Sequence, residues 1–277
     1  MSEIIKGRQL ADAIREKAKA RIEKLDQPPG LAAILVGADP ASQLYVSLKE
    51  KAAKEVGIYF EKFEFEADAK TKTIIEKIRE LNKRADINGI LVQLPLPNQD
   101  EDKIIAAIDH NKDVDGFHMA NRGKLITGEE SLVPPVSLAI MRLIQASNQP
   151  LKGKHMVVVA NNAIFAEPLT ILAKRESMNS VFVKSDDPGI SAKTRGVDVI
   201  VVAVGKIGFI TKDMVKDGAI VIDVGTNKKG DQTVGDVAED VHGHAAFISP
   251  VPGGVGPLTV AYLLTNVIHA KELQEKL

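Results

Sequence analysis

One lysine in the sequence is placed to act as an acid or a base. In the segment YVSLK, Tyr45 and Lys49 are four residues apart within a predicted helix, so both side chains project from one helix face. A phenol beside an ammonium can form a hydrogen bond with it and, when the pair is partly buried, help to keep the amine neutral. The alternative interpretation is an ordinary pair of surface side chains.

A glutamine interrupts an otherwise apolar strand in the segment GILVQLPLP. Gln93 lies near the carboxyl end of this buried run, and Pro95 and Pro97 end the strand. Ligands of open α/β sheets bind beyond the carboxyl ends of the strands, so a carboxamide at this position is placed to contact one. The alternative is a glutamine that satisfies backbone groups of the following loop.

Two aspartates occupy a turn in the segment NKDVDGFH. Asp113 and Asp115 flank a valine, Gly116 closes the turn and His118 follows. The spacing resembles a fragment of a calcium loop, but the remaining ligands are missing. Turn formation is the common role of aspartate in such a segment. Alternatively, one carboxylate could bind the edge of an amino-pyrimidine ring through paired hydrogen bonds.

The segment ISPVPGGVGPLT, residues 248–259, is rich in glycine and proline. Such a loop is rigid, and a ligand can approach its backbone closely. We expect a helix to begin at Pro257, where its free N–H groups favour a bound anion.

Composition excludes several classes of function. The chain has 277 residues with 36 Lys+Arg and 37 Asp+Glu, a net charge of −1, and no basic block, so neither nucleic acid nor an anionic membrane is the expected partner. No apolar run approaches the ~20 residues of a membrane span. The charged, amphipathic start does not resemble a signal peptide, so we predict a cytoplasmic protein.

The sequence contains no cysteine, no recognisable metal-binding motif and no common nucleotide-binding motif. The chain has no cysteine, which excludes disulfides and thiolate ligands. His242 and His244 have no third ligand at a recognisable spacing, so no metal site is predicted. The sequence contains neither a GxGxxG fingerprint nor a P-loop.

The elements that must position these residues alternate between helix and strand. Apolar steps of three and four residues predict helices at residues 10–25, 40–57, 74–81, 163–175, 212–216 and 257–276. Short apolar runs predict strands at residues 30–37, 58–65, 89–94, 155–160, 180–183, 197–204 and 218–224. This order predicts an α/β fold of two lobes with parallel sheets, bridged by residues 133–149, with a ligand cleft between the lobes.

Taken together, these segments resemble the bifunctional methylenetetrahydrofolate dehydrogenase/methenyltetrahydrofolate cyclohydrolase family over nearly the whole chain. The likeness rests on VGADPASQLYVSLKEKAAKEVGI, GILVQLPLP, KDVDGFH, AVGKIGFITKDMVKDGAIVIDVGTN, GDV (residues 235–237) and PVPGGVGPLT. The resemblance implies a catalytic folate-binding lobe over residues 1–138, to which a helix of residues 257–277 returns. It implies a Rossmann-like nucleotide-binding lobe over residues 139–256.

The resemblance also implies an activity. A nicotinamide cofactor, NADP or less often NAD, would oxidise 5,10-methylenetetrahydrofolate to 5,10-methenyltetrahydrofolate, which would then be hydrolysed to 10-formyltetrahydrofolate. Family members are commonly homodimers, and the reaction belongs to the one-carbon metabolism that serves purine biosynthesis.

Site residues follow from the resemblance position by position. The catalytic set would be Lys49, Tyr45, Gln93 and Asp115, with Asp115 binding the pterin. Substrate binding would involve Tyr45, Val92, Gln93, Leu94, Asp115, Pro252, Gly253, Gly254, Gly256, Pro257 and Thr259. Cofactor binding would involve Ala160, Asn161, Asn162, Lys184, Ser185 and Thr226.

The sequence departs from the family pattern chiefly at the cofactor turn. The pattern G-R-S-x-x-V-G-x-P reads ANNAIFAEP at residues 160–168, C-H-S-x-T reads VKSDD at residues 183–187, and P-C-T-P reads PPVS at residues 134–137. A Cβ crowds a pyrophosphate, and two acidic residues oppose a 2′-phosphate, whereas Lys184 favours one. Two alternatives therefore stand beside the bifunctional enzyme, namely a cyclohydrolase without dehydrogenase activity and a folate-binding relative without catalysis. The four retained catalytic residues count against the second alternative.

Overall fold

The structure is a computed structural model that describes residues 2–276. Its strands are β1 (Glu3–Ile4), β2 (Gly30–Val36), β3 (Tyr59–Phe65), β4 (Gly89–Val92), β5 (His155–Ala160), β6 (Asn179–Lys184), β7 (Val199–Ala203), β8 (Ile220–Asp223), β9 (Asn227–Lys229), β10 (Gln232–Val234) and β11 (Phe247–Ile248). Its α-helices are α1 (Gly7–Ile22), α2 (Pro40–Val56), α3 (Thr71–Lys83), α4 (Glu101–Ala106), α5 (Met119–Thr127), α6 (Pro135–Ala146), α7 (Ala163–Arg175), α8 (Ile190–Thr194) and α9 (Val255–Glu275). Within residues 2–276, no helix has the length and apolar character to cross a membrane.

The chain divides into two compact units. The six-stranded unit comprises the chain up to Ala11 and Val136–Thr259. The three-stranded unit comprises Asp12–Pro135 and the chain from Val260 onward. The residues of α1 and α9 are therefore shared between the two units.

The three-stranded unit has a parallel sheet in the order β3–β2–β4. Every residue of the central strand β2 is buried, whereas β3 alternates between more and less buried positions, because it lies at an edge. Successive residues of β2 point into different cores: Ala33 and Leu35 pack with α2 and α9, while Ala32 and Ile34 pack with α3 and α4. This sheet is thus buried on both faces and can hold loops rigidly at its carboxyl end.

Local sequence signals define the limits of α2. The Asp39 side chain accepts a hydrogen bond from Ser42 N at 2.8 Å, and Pro40 occupies the first helical turn. Gly57 ends the helix with φ at 92°, a left-handed conformation that glycine adopts without a steric cost. These limits confirm the prediction for this helix, which carries Tyr45 and Lys49.

The six-stranded unit has a sheet in the order β1–β11–β8–β7–β5–β6, and all five strand pairs are parallel. The chain runs from β5 to β6 on one side and then returns to β7 on the other side of β5. The carboxyl ends of β5 and β7 therefore form the topological switch point, where an open α/β sheet binds ligands. This arrangement is the Rossmann-like fold that the resemblance implied.

Beyond shifts of a few residues at the ends of other elements, such as α1 (predicted at residues 10–25) and β4 (predicted at residues 89–94), the structure differs from the sequence prediction in the following ways. Residues 1–138 were predicted as one lobe, but β1 pairs with β11, which places the chain up to Ala11 in the six-stranded unit. The predicted helix at residues 212–216 is a single 3₁₀ turn, Lys212–Met214, because the backbone is already extended at Val215. The last helix begins at Val255 rather than Pro257, because proline is tolerated within the first turn.

A buried asparagine joins α9 to the loops of the three-stranded unit. Asn266 lies among apolar residues, is 5% exposed, and donates hydrogen bonds from Nδ2 to the carbonyls of Val114 and Val133, both at 2.8 Å. Val114 separates the two aspartates of the turn described above. The helix therefore holds this turn through hydrogen bonds from the Asn266 side chain to the backbone.

Replacing Asn266 should destabilise the protein. Asn266→Ala leaves two carbonyls without their donor, at a cost of about 2–4 kcal/mol in the free energy of unfolding. Urea denaturation followed by circular dichroism measures the difference. The control is Thr265→Ala, which removes one hydrogen bond within the helix, to Ala261 O, and should cost less than about 1 kcal/mol. Equal losses in the two variants would contradict the role assigned to Asn266.

Candidate functional site

The predicted lysine and glutamine meet in the three-stranded unit. Lys49 Nζ donates a hydrogen bond to Gln93 Oε1 at 2.9 Å, and both side chains are half-buried. Gln93 Nε2 donates to the carbonyl of Leu94 at 2.8 Å, which directs Oε1 toward the lysine. The backbone N–H of Gln93 donates to the carbonyl of Ile34, so the glutamine is anchored to the central strand. Tyr45 is half-buried one turn before Lys49, but the acceptor for the ammonium comes from the end of β4.

Burial changes the protonation of this lysine. Removal from water lowers the pKa of the Lys49 ammonium below its ordinary value of 10.5, and the charge of Asp115 partly opposes this shift. The same burial raises the pKa of the Asp115 carboxyl, which the charge of Lys49 in turn lowers. An amine whose pKa is lowered loses its proton at a lower pH than an ordinary lysine does, so it can serve as a base at moderate pH.

The turn that carries Asp115 is fixed by its neighbour. Asp113 is 2% exposed, and its Oδ2 accepts hydrogen bonds from His118 N at 2.8 Å and from Asn121 Nδ2 at 3.0 Å. Burial raises the pKa of Asp113 to about 6. Gly116 has φ at 71°, and a Cβ there would lie 2.7 Å from the carbonyl oxygen of Leu132. The turn is therefore rigid, and the Asp113 side chain supplies the hydrogen bonds that hold it.

A pocket next to this turn combines apolar walls with carboxylates. It is lined by Ile90, Val92, Leu94, Ile105, Ile108, Asp113, Asp115 and Phe117. Three of the predicted substrate-binding residues, Val92, Leu94 and Asp115, thus border one space. Among residues 2–276, no group of three or more His, Asp or Glu side chains is arranged to hold a metal ion.

The glycine- and proline-rich loop belongs to the six-stranded unit. Gly254 is buried, and a Cβ there would lie 2.6 Å from the carbonyl oxygen of Pro250, so close packing requires this glycine. Gly256 and Pro252 are exposed, and nothing lies within 4 Å of a Cβ built at Gly256. Thr259 Oγ1 donates to the carbonyl of Val255 inside α9. The loop thus offers an accessible backbone at Gly256, in the first turn of a helix that starts earlier than predicted.

The turn after β5 connects the ends of three strands. Asn161 Nδ2 donates to the carbonyl of Val204 after β7 at 3.2 Å, and Ser185 Oγ after β6 donates to Asn161 Oδ1 at 2.7 Å. Asn162 Oδ1 accepts from Phe165 N and caps α7. Lys184 instead forms an ion pair with Asp186, with Nζ and Oδ2 separated by 2.7 Å. The predicted cofactor residues Asn161, Asn162 and Ser185 therefore lie together, while Asp186 partly neutralises the charge of Lys184.

The residues at this end of the sheet fit a dinucleotide. The alanines that replace the two family glycines, Ala160 and Ala166, are each 1% exposed, so their methyl groups pack inside the unit and do not crowd its exposed end. Asn161 and Asn162 are exposed at the start of a 13-residue helix. At Gly205, after β7, φ is 72° and nothing lies within 4 Å of a built Cβ, which leaves space that a ligand can occupy. Thr226 is exposed after β8.

Several structurally important residues are not among the predicted site residues. Asn121 and Asn266 hold the turn that carries Asp115, and Asp223 and Asp236 are buried at the carboxyl end of the six-stranded sheet. In the sequence, Asn266 stands out only as a polar residue in a largely apolar helix, and Asp223 and Asp236 only as members of two segments that resemble the family. The roles of these residues depend on contacts between segments far apart in the chain.

Fold and site together define an α/β protein with a partly buried lysine of lowered pKa in one unit and a Rossmann-like sheet in the other. Residues 5–115 match the catalytic domain of the tetrahydrofolate dehydrogenase/cyclohydrolase family, and residues 134–275 match its NAD(P)-binding domain. A relative from Exiguobacterium sibiricum, the bifunctional protein FolD, is 43% identical over 98% of this chain and 99% of its own length.

Solved structures of the same kind cover the whole chain. The bifunctional enzyme FolD, methylenetetrahydrofolate dehydrogenase/cyclohydrolase, from Campylobacter jejuni has a TM-score of 0.94 at 36% identity, covering 99% of this chain and 100% of its own. The methylenetetrahydrofolate dehydrogenase-cyclohydrolase of Trypanosoma brucei, complexed with NADP cofactor and an inhibitor, has a TM-score of 0.94 at 33% identity, covering 100% and 99%.

The chain belongs to the tetrahydrofolate dehydrogenase/cyclohydrolase family. It is a bifunctional enzyme with dehydrogenase and cyclohydrolase activity, which confirms the main interpretation of the sequence. Family membership does not support the alternatives of a cyclohydrolase alone or of a non-catalytic folate-binding protein.

The titration of Lys49 tests the electrostatics of the site directly. Because burial lowers its pKa, Lys49 should lose its proton at lower pH than a free lysine derivative does. In Asp115→Asn, the charge that raises the pKa of Lys49 is removed, so this pKa should fall further. The pH dependence of acylation at Lys49, read by mass spectrometry against N-acetyl-lysine amide, measures both shifts. A titration that matches the free derivative, or a rise of the pKa in Asp115→Asn, would show that the site is not organised in this way.

Proposed function

We propose that this chain oxidises 5,10-methylenetetrahydrofolate to 5,10-methenyltetrahydrofolate with NADP, and hydrolyses the product to 10-formyltetrahydrofolate at a site centred on Lys49. The observation that carries the proposal is the hydrogen bond between Lys49 and Gln93 in a partly buried site that Asp115 also shares. An amine with a lowered pKa supplies the proton transfers that the hydrolysis needs.

Lys49 moves the protons in the hydrolytic step. Water adds to the cationic methenyl carbon, and the amine of Lys49 accepts a proton from that water. The bond from this carbon to N5 then breaks, N5 takes a proton from the Lys49 ammonium, and the remaining hydroxyl proton leaves to solvent as the formyl group forms. A cationic substrate disfavours a nearby ammonium, so a site of lowered lysine pKa suits this reaction.

Gln93 and Tyr45 support the lysine. Gln93 Oε1 accepts from Nζ and so fixes where the lone pair of the neutral amine points. Tyr45, one helical turn away, is placed to contact the substrate on the same face of α2. Both residues act on the position of the amine relative to the one-carbon unit.

Substrate recognition uses both carboxylate chemistry and apolar contact. Asp115 binds the amino-pyrimidine edge of the pterin, because a carboxylate accepts paired N–H donors well. Val92 and Leu94 provide apolar surface beside it. The loop formed by Pro252, Gly253, Gly254, Gly256, Pro257 and Thr259 contacts the folate through its backbone.

The six-stranded unit holds the nucleotide. A bound nicotinamide supplies the acceptor for the hydride that leaves the methylene carbon. Ala160, Asn161 and Asn162 form the turn that the dinucleotide follows, Lys184 and Ser185 bind the adenosine ribose or its phosphate, and Thr226 adds a contact from the loop after β8. The NADP bound to the Trypanosoma brucei enzyme supports NADP as the cofactor, with NAD as a second candidate.

The setting of the reaction is also proposed. We place the enzyme in the cytoplasm as a homodimer, where its product supplies one-carbon units to purine biosynthesis. Its near-zero net charge is consistent with small-molecule substrates and with neither nucleic acid nor a membrane as partner.

Removing the lysine should abolish hydrolysis. Lys49→Ala should lower the rate of methenyltetrahydrofolate hydrolysis by ~10²–10⁴-fold, as is typical for loss of an acid–base residue, while folate affinity changes little. The matched control is Lys51→Ala on the same helix, because its side chain is 77% exposed and forms only a long ion pair with Glu55. A loss below about tenfold in a folded Lys49→Ala protein would remove Lys49 from the mechanism.

A spectrophotometric assay with NADP, NAD or no nucleotide tests the cofactor. We expect dehydrogenation with NADP, and hydrolysis of methenyltetrahydrofolate that needs no nucleotide and is the more robust of the two activities. Lys184→Ala should raise the KM for NADP but not that for NAD, because only NADP carries the 2′-phosphate. Equal NADP affinity in Lys184→Ala would exclude Lys184 as the phosphate ligand, and dehydrogenation without hydrolysis would overturn the role of Lys49.

A further inference from the structure

Two buried aspartates lie at the carboxyl end of the six-stranded sheet and have no part in the mechanism above. Asp236 is 0% exposed and Asp223 is 4% exposed. A buried carboxylate is costly unless hydrogen bonds satisfy both oxygens, so the groups that surround it are informative.

Four donors surround the Asp236 carboxylate, and three of them are consecutive backbone N–H groups. Oδ2 accepts from Val204 N at 2.7 Å and from Gly205 N at 3.0 Å. Oδ1 accepts from Lys206 N at 2.8 Å and from Asn227 Nδ2 at 2.9 Å. Residues 204–206 leave β7 at the switch point, so this one carboxylate determines the path of the backbone there.

Asp223 holds Asp236 in place. Its Oδ1 accepts from Asp236 N at 2.9 Å and from Gly225 N at 3.0 Å, and its Oδ2 accepts from Val237 N at 2.9 Å. A Cβ at Gly235 would lie 1.8 Å from Asp223 Oδ2, and one at Gly225 would lie 2.2 Å from the Asp236 carboxyl carbon. Both glycines are therefore required for the two carboxylates to fit.

The backbone held by Asp236 reaches the turn after β5. Because its peptide N–H groups point to the carboxylate, the trans carbonyls of these peptides point the other way. The carbonyl of Val204 accepts from Asn161, which in turn accepts from Ser185. One hydrogen-bonded chain thus runs from Asp223 through Asp236 to residues proposed to bind the nucleotide. Carbonyl oxygens accept hydrogen bonds from hydroxyl and amide donors, such as the ribose hydroxyls and the carboxamide of a nicotinamide nucleoside. A phosphate offers mainly acceptors and is a poor partner for them.

We propose that Asp236 is a positioning residue for the nicotinamide dinucleotide, because it fixes the N–H groups of residues 204–206 so that the carbonyls of the same peptides, which belong to residues 203–205, and the open space at Gly205 face the ligand. The inference rests on the proposed function, since it requires a dinucleotide at this end of the sheet. Hydride transfer then depends on Asp236, whereas hydrolysis at Lys49 does not.

The variant Asp236→Asn tests this role by three measurements on the full chain. An amide presents an NH₂ group to backbone donors in place of one oxygen, so residues 204–206 must move. We expect the Kd for NADP, measured by isothermal titration calorimetry, to rise by about tenfold or more. Hydrolysis of methenyltetrahydrofolate without nucleotide should stay within about twofold of the unsubstituted enzyme. Thermal denaturation reports any general loss of stability, which would reduce both activities together.

Two further variants keep the test decisive. Asn227→Ala removes one of the four donors and, if Asp236→Asn does not fold, should still weaken NADP binding selectively by a smaller factor. Asp240→Asn is the matched control, because Asp240 is exposed and accepts one long hydrogen bond, from Lys212 N at 3.3 Å, so it should change neither measurement. Unchanged NADP affinity in folded Asp236→Asn, or in Asn227→Ala, would overturn the inference alone. Absence of NADP and NAD binding in the unsubstituted protein would overturn the proposed cofactor and this inference with it.

Discussion

Removing a lysine amine from water favours its neutral form, and this constraint determines how the three-stranded unit is built around Lys49. The amine reaches its acceptor only because Asp39 and Gly57 set the limits of α2 and because Gln93 is anchored to the central strand. The hydrogen bond between Lys49 and Gln93 therefore joins α2 to the end of β4. It holds the amine in the partly buried position that lowers its pKa. The charge of Asp115 acts on the pKa of Lys49 in the opposite direction, because it raises the pKa that burial lowers.

Both units use a buried carboxylate to hold a loop at the end of a parallel sheet. In the three-stranded unit, Asp113 accepts from the backbone of His118 and from Asn121, and so fixes the turn that presents Asp115. In the six-stranded unit, Asp236 accepts from three consecutive backbone N–H groups. Chain segments that leave a sheet have donors without strand partners, and a carboxylate can satisfy several of them at once. The loops that are proposed to contact ligands are thereby rigid, which is what precise positioning of a reacting group requires.

The cofactor end combines a retained fold with altered chemistry. Where the family pattern has an arginine, Asn161 uses its amide to connect the ends of β5, β6 and β7. The alanines that replace the two glycines are buried, so these substitutions concern packing rather than the ligand surface. Lys184 retains a positive charge near the end of β6, but its ion pair with Asp186 reduces what it can offer to a phosphate. We therefore expect the change from the family pattern to affect selectivity between dinucleotides more than the ability to bind one.

The order of residues specifies the alternation of helices and strands and the limits of α2. These features follow from local signals, such as an Asp-Pro cap, a closing glycine and short apolar runs, which act between neighbouring residues. The tertiary structure shows that β1 joins β11, that the Asp113 side chain holds the turn, and that Asn266 and Asp236 support distant loops. Two aspartates in one turn look alike in a sequence. What distinguishes them is which backbone donors the fold brings to each carboxylate, and those donors come from segments whose positions depend on packing rather than on local conformation.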